Sequence, residues 1–257
     1  MRILLWIALL LLLVGGIVAP TTYFYTVSTL PPLENEFDLE RHLRNYVEGD
    51  RMSVQLGMAA RDRAGVAYTR PDFAKLPKDL VAFYIDSWDC PNFFQTPRET
   101  GSAWSWRVFS AYFLDRHPPG DGRCEWQLAN QLAWSIRIRG GLRQALAASK
   151  IHAFLSKDQL VAYDLSSISF DRAVVGVEDA SHVLFKKPLE ALTLSELAEL
   201  ELTLPPNGFW PEVSRCRSPS QIRHGRDYLL GRLARHGLIP EDRAKGAQAA
   251  PVACTRP

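Results

Sequence analysis

Cys90, Cys124, Cys216 and Cys254 are the cysteines of this chain, and no two stand in a C-x-x-C pair, so no zinc-ribbon or dithiol redox pattern is present. In an exported domain an even number of cysteines permits two disulfides, without giving their connectivity. The alternative is that all are small buried residues. The histidines (His42, His117, His152, His182, His224 and His236) form no H-E-x-x-H, which removes that zinc-hydrolase arrangement. No Glu/Asp pair has a convincing spacing for glycoside hydrolysis by two carboxylates. Arg223, Arg226, Arg232 and Arg235 recur along one amphipathic stretch; they could meet anionic lipid or polymer, or form a solvated helix face.

The elements that must carry these groups are mainly helical. The 257 residues carry a net charge of only +2, with 47% apolar and 23% charged residues, which suits a globular fold and argues against a nucleic-acid binder. Ile3 to Ala19 is an uncharged apolar run behind Met1-Arg2. As a helix it spans roughly 25 Å, and Thr21 to Tyr25, with its Tyr-Phe-Tyr cluster, can complete a crossing. A retained single-pass anchor in the inner (cytoplasmic) membrane is expected, with residues from 26 onward on the periplasmic or extracellular side. A cleaved signal peptide is the competing reading, although Pro20 would then follow the cut.

Beyond the anchor (1–28) and a linker region (29–69), Glu34 to Val47 has helical periodicity, and Met52 to Val66 could hold a short strand or two. His117 to Gly122 (HPPGDG) must be loop. Thr193-Leu-Ser-Glu196 is a capping box opening a helix over 193–202. Ser220 to His236 predicts a second amphipathic helix with Ile222, Leu229, Leu230 and Leu233 inward and Gly237 as its stop. The tail after Ile239 is Ala-, Pro- and Arg-rich and reads as mobile.

The stretch from Leu155 to Pro211 resembles the C-terminal half of the peptidoglycan glycosyltransferases, glycosyltransferase family 51. Leu155-Ser156-Lys157-Asp158, Gly176-Val177, Phe185, Lys187, Leu192-Thr193-Leu194, Glu196 and Ala198 fall in step with that family without a gap. GRDYLLGRLARHGLI, from Gly225 to Ile239, is similar to its following helix, and Leu76-Pro77 with Leu80-Val81 to the lead-in of its first catalytic motif. Gly120 to Leu132 aligns with its second motif. The resemblance covers residues 70–243, leaving 244–257 as the tail, and implies a lysozyme-like, two-lobed, mainly α domain. The sequence given holds no S-x-x-K with S-D-N and K-T-G, so no transpeptidase domain is expected.

What the resemblance implies is polymerisation of a lipid-linked disaccharide (lipid II) into glycan strands for the cell wall, with inversion at the anomeric carbon. That chemistry needs a base for the acceptor sugar hydroxyl and cations to hold the departing pyrophosphate. The family uses a Glu as base, and a second Glu beside basic residues and usually a divalent metal such as Mg. Here Asp89 is the only carboxylate at the first position, and Gln144 stands at the second Glu, with Arg143 before it and Gly140-Gly141 where the family has Arg and a variable residue. Gly120, Gly122, Glu125 and Gln127 fall in the second motif and line the substrate cleft by resemblance, although an acidic residue at Glu125 also reads as a solvated loop charge. Glu178-Asp179 lies where the family keeps no base and reads as structural. Cys90 and Cys124 fall in the segments aligned with the first two motifs, which border one cleft. The resemblance therefore places their Cα atoms within about 7 Å, close enough to bridge.

A second hypothesis keeps the fold and the membrane and drops catalysis: an envelope scaffold that binds glycan, lipid precursor or another cell-wall synthase. No nucleic-acid partner is expected.

Overall fold

The computed structural model describes residues 6, 21, 23–55, 68, 70–113, 122–171, 174–204 and 218–252. Apart from Trp6, the apolar run Ile3 to Ala19 read as a membrane anchor lies outside these residues, as do 56–66 and the HPPGD stretch before Gly122. Among the described residues no helix is long and apolar enough to cross a membrane.

Helices dominate. Residues 23–28 are helical, and α1 (Glu36–Gln55) follows; its last residues, 52–55, belong to the stretch Met52 to Val66 that could have held a short strand. Then come α2 (Lys78–Ser87), α3 (Gly101–Phe113), α4 (Gly122–Ser135), α5 (Gly141–Phe154) and α6 (Lys157–Ser167). A two-stranded antiparallel ribbon, β1 (Ser169–Asp171) and β2 (Val174–Val175), pairs Ser169 with Val175. It leads into α7 (Val177–Phe185), α8 (Leu194–Glu201), α9 (Pro219–Arg235) and α10 (Glu241–Ala249). Gly176 turns the ribbon into α7 at φ +85, where a Cβ would lie 2.6 Å from the Ser166 carbonyl, so only glycine fits.

Local chemistry explains the clearest boundaries. Thr193 caps α8 in the expected box: its hydroxyl accepts from the Glu196 backbone N–H, and the Glu196 carboxylate accepts from the Thr193 backbone N–H. Ser156 and Gln159 build the same device at α6. The Leu faces expected on α8 and α9 are inward: Leu197, Ile222, Leu229, Leu230 and Leu233 are all buried. Core residues run continuously from Leu33, Leu39 and Leu43 through Leu80, Phe83, Leu128, Leu132, Ile151 and Leu160 to Leu200 and Ile239. α4 packs on α5 and α6, and α8 on α2 and α9.

Two expectations are corrected. The chain after Ile239 forms α10 and packs on α9, burying Ala244 and Ala247; their small side chains permit close approach, and Arg243 pairs with Asp79 at 2.7 Å. The arginines of α9 are not one solvated face. Arg226 is fully buried, donating to Ser195 Oγ, Glu199 Oε1 and the Gln248 carbonyl, because α8 and α10 close over it. Arg232 donates to Asp86 Oδ2 at 2.6 Å, and His236 Nδ1 meets the other oxygen of that buried carboxylate.

Asp164 on α6 is fully buried and accepts a hydrogen bond from the Tyr84 hydroxyl of α2. Burial pushes its carboxyl from 3.8 up to about 7, with the Tyr84 bond opposing. Between those values the folded chain keeps a proton that the unfolded chain releases, so stability falls as pH rises through that window and levels off above it. Asp164→Asn removes the titration. In urea unfolding the variant should gain on the wild type by about 3 kcal/mol between pH 4.5 and pH 8; a difference constant with pH would contradict the neutral buried acid.

Candidate active site

The turn after α2 presents Asp89. Its backbone N–H donates to the Asp86 carbonyl at 2.9 Å and the Cys90 N–H to Ile85, a tight reversal that puts Asp89 at φ 57. That left-handed conformation is one Asp tolerates better than most residues, and it leaves the carboxylate exposed to solvent. Cys90 and Cys124 are disulfide-bonded with Cα atoms 6.5 Å apart, within the expected distance. Arg123 Nη2 adds a bond to the Trp88 carbonyl at 3.0 Å. The Asp89 turn is thus fastened to the first turn of α4.

The other expected site residues are spent differently. Gln144 points both ends of its amide at backbone: Oε1 accepts from the Gly140 N–H at 3.0 Å and Nε2 donates to the Asn130 carbonyl at 3.4 Å. It therefore caps its own helix, which Gly140 and Gly141 open without a side-chain cap, and ties α5 to α4. Arg143 is exposed and donates to the Thr29 carbonyl at 2.8 Å. Gln127 is partly buried, and its Oε1 is enclosed without a hydrogen-bond partner. Gly122 is buried where a Cβ would overlap the Glu99 carboxylate, which Arg107 holds at 2.6 and 2.5 Å. Gly120 lies outside the described residues.

Glu125 is neither a solvated loop charge nor open to a ligand: it is fully buried in the first turn of α4. Its Oε2 meets His152 Nε2 at 2.6 Å and its Oε1 lies 3.2 Å from Lys157 Nζ, with Arg98 at 3.9 Å. Burial raises its carboxyl, and the His152 hydrogen bond with the Lys157 ammonium more than offsets that, leaving it below the usual carboxylate range. His152 is held below the usual imidazole range by burial, against the pull of Glu125, and its ring stacks on Trp104 at 3.5 Å. Lys157 also donates to the Phe93 carbonyl at 2.5 Å and the Thr96 carbonyl at 2.9 Å. One carboxylate thereby joins α4, α5, α6 and the segment from Phe93 to Glu99. Of its partners, Lys157 was legible inside the Leu155–Asp158 motif; His152 and Arg98 carried no sequence signal.

The arrangement offers one exposed carboxylate, Asp89, on a braced turn, with the charges behind it consumed internally. Among the described residues no three His, Cys, Asp or Glu side chains come together to hold a metal, and Gln144 has both amide ends engaged. These residues do not fit a protein-held divalent ion.

Residues 125–234 match the family model described as transglycosylase. Penicillin-binding protein 1A of Rickettsia felis is 30% identical over 183 residues, covering 69% of this chain and 22% of that protein. The protein of the same name from Pseudomonas aeruginosa is 24% identical over 240 residues, 90% of this chain and 27% of the relative. Penicillin-binding protein 1F of Bacillus subtilis is 30% identical over 107 residues, 41% of this chain and 14% of the relative. The chain thus spans no more than about a quarter of the length of these relatives. On these matches, residues 125–234 fall in the transglycosylase family, and the chain carries a peptidoglycan glycosyltransferase domain.

Proposed function

We propose that this chain is a membrane-anchored peptidoglycan glycosyltransferase-like protein of the envelope, with the lysozyme-like two-lobed fold its resemblance implies, acting on a lipid-linked disaccharide and a growing glycan strand. The observation that carries the reading is the exposed Asp89 carboxylate, held on a turn that a disulfide fastens to α4. Asp89 would take the proton of the acceptor sugar hydroxyl as that oxygen attacks the anomeric carbon and the pyrophosphate departs. Arg143, the exposed cation that precedes Gln144 at the second-Glu position, would face the leaving group. No step is routed through a metal.

A second reading, a non-catalytic scaffold binding glycan, lipid precursor or a synthase, is favoured by a specific observation. Gln144, Arg143 and Glu125 all have polar ends engaged within the protein. Incubating the purified chain with lipid-linked disaccharide and a divalent metal separates the two. If it polymerises, Asp89→Asn should abolish the rate and Asp89→Glu should raise it by extending the carboxylate roughly 1 Å, whereas Gln144→Glu should give no gain, because a Glu there cannot donate to the Asn130 carbonyl. Polymerisation that survives Asp89→Asn would sink the assignment. A silent wild type that neither reversion rescues supports the scaffold.

A further inference from the structure

Between Glu125 and Asp158 the chain has five Lys or Arg and no Asp or Glu. Its turn from α4 to α5, Ser135-Ile-Arg-Ile-Arg139, alternates sharply: Ile136 and Ile138 are buried while Arg137 and Arg139 are exposed. The Ile138 N–H bond to the Ala133 carbonyl, at 3.0 Å, and Arg137 at φ 63 fix that alternation. Arg139 lies 4.3 Å over the ring of Trp134, which is 50% exposed. A tryptophan with one wet face and a cation stacked on it suits the boundary between water and lipid.

The same end of the molecule receives the N-terminal segment. Arg143, also exposed, bonds the Thr29 carbonyl at 2.8 Å, and Thr29 closes the helical residues 23–28 through the Tyr25 carbonyl at 3.1 Å. Tyr23, Phe24 and Tyr25 on that segment are all exposed. The first turn of α5, just past the basic 135–139 turn, is thereby fastened to the segment that carries these aromatics, across 114 residues of sequence.

We propose that the α4–α5 turn, with Arg137, Arg139 and Trp134, is a docking surface for anionic phospholipid headgroups of the bilayer that receives the N-terminal run. It rests on the reading that Ile3 to Ala19 is retained in the membrane. Juxtamembrane basic side chains each contribute on the order of fivefold to attraction by an anionic surface, and salt screens the effect. The contact would seat the domain on the bilayer instead of leaving it on a free tether.

The test uses the full chain in lipid nanodiscs of neutral phosphatidylcholine or of phosphatidylcholine with phosphatidylglycerol, with a quencher on the headgroup. Subtracting the fluorescence of Trp134→Phe isolates Trp134, and subtracting Trp6→Phe isolates Trp6 in the anchor. Trp134 should be quenched strongly in anionic discs and weakly in neutral ones, and Arg137→Glu with Arg139→Glu or high salt should abolish the difference. Trp6 quenched with Trp134 unquenched would overturn the docking surface and leave the anchor standing. Trp6 unquenched would overturn the anchor, and the docking surface with it. Equal Trp134 quenching in both lipids, or quenching only after lipid-linked pyrophosphate is added, would overturn recognition of anionic headgroups.

Discussion

Glu125→Gln should lower the unfolding free energy at neutral pH by about 3–5 kcal/mol, the cost of leaving buried charges without their partner. The Glu125 side chain has no exposed surface and Lys157 only 11%, so water cannot replace the lost carboxylate. The deficit has a pH signature. Because the folded carboxyl is held below its ordinary 4.5, its contribution is present above that pH and is lost as pH falls through the folded value. Wild type and variant should therefore converge in urea unfolding as pH falls from 4.5 through that lower folded value. Lys157→Met in the Glu125→Gln background should recover part of the loss, by removing the orphaned ammonium. A variant as stable as wild type at pH 7 would contradict the buried network.

Reduction, or Cys90→Ser with Cys124→Ser, should cost about 4 kcal/mol, since the bridge closes a loop across 34 residues whose unfolded freedom it restricts. In a domain of this size that corresponds to a fall of roughly 10 °C in Tm. Asp89 should feel the same change, because its turn would lose the covalent tie to α4 and be left with the Arg123 bond to the Trp88 carbonyl, the Trp88 contact with Tyr84 and its own short-range backbone bonds. A thermal scan with and without reductant checks the first effect; an unmoved midpoint would show that the bridge is not formed in the folded chain.

What was legible in the sequence is what local chemistry writes there. The Thr193–Glu196 box and the Leu stripe of 220–236 follow from capping and helical period, and both stand as expected. The Cys90–Cys124 pairing came from the register of two aligned segments. Arg226 was misread because periodicity sets a residue's angle on a helix and says nothing of Glu199, 27 residues away, that makes its burial tolerable. Glu125 failed for the same reason: its partners His152 and Lys157 lie 27 and 32 residues on. Helix α10 was missed because EDRAKGAQA buries two alanines and little else, too faint a stripe to separate from a flexible tail. Among the expected site residues, Gln144 and Gly122 turned out to serve backbone and close packing, roles that a motif position alone does not display.

Helix α10 also bears on where this unit can be cut. The family match stops at residue 234, yet Gln248 supplies a carbonyl to the guanidinium of Arg226 and an amide to the carbonyl of Asp227, and Arg243 reaches back to Asp79 near the start of α2. An expression fragment trimmed to the match would uncover a cation sunk in the core and strip the partner strand of helix from α9. The smallest autonomous piece should therefore run past Ala249, and fragments ending near 234 should be recovered as aggregate while those ending near 252 remain in solution.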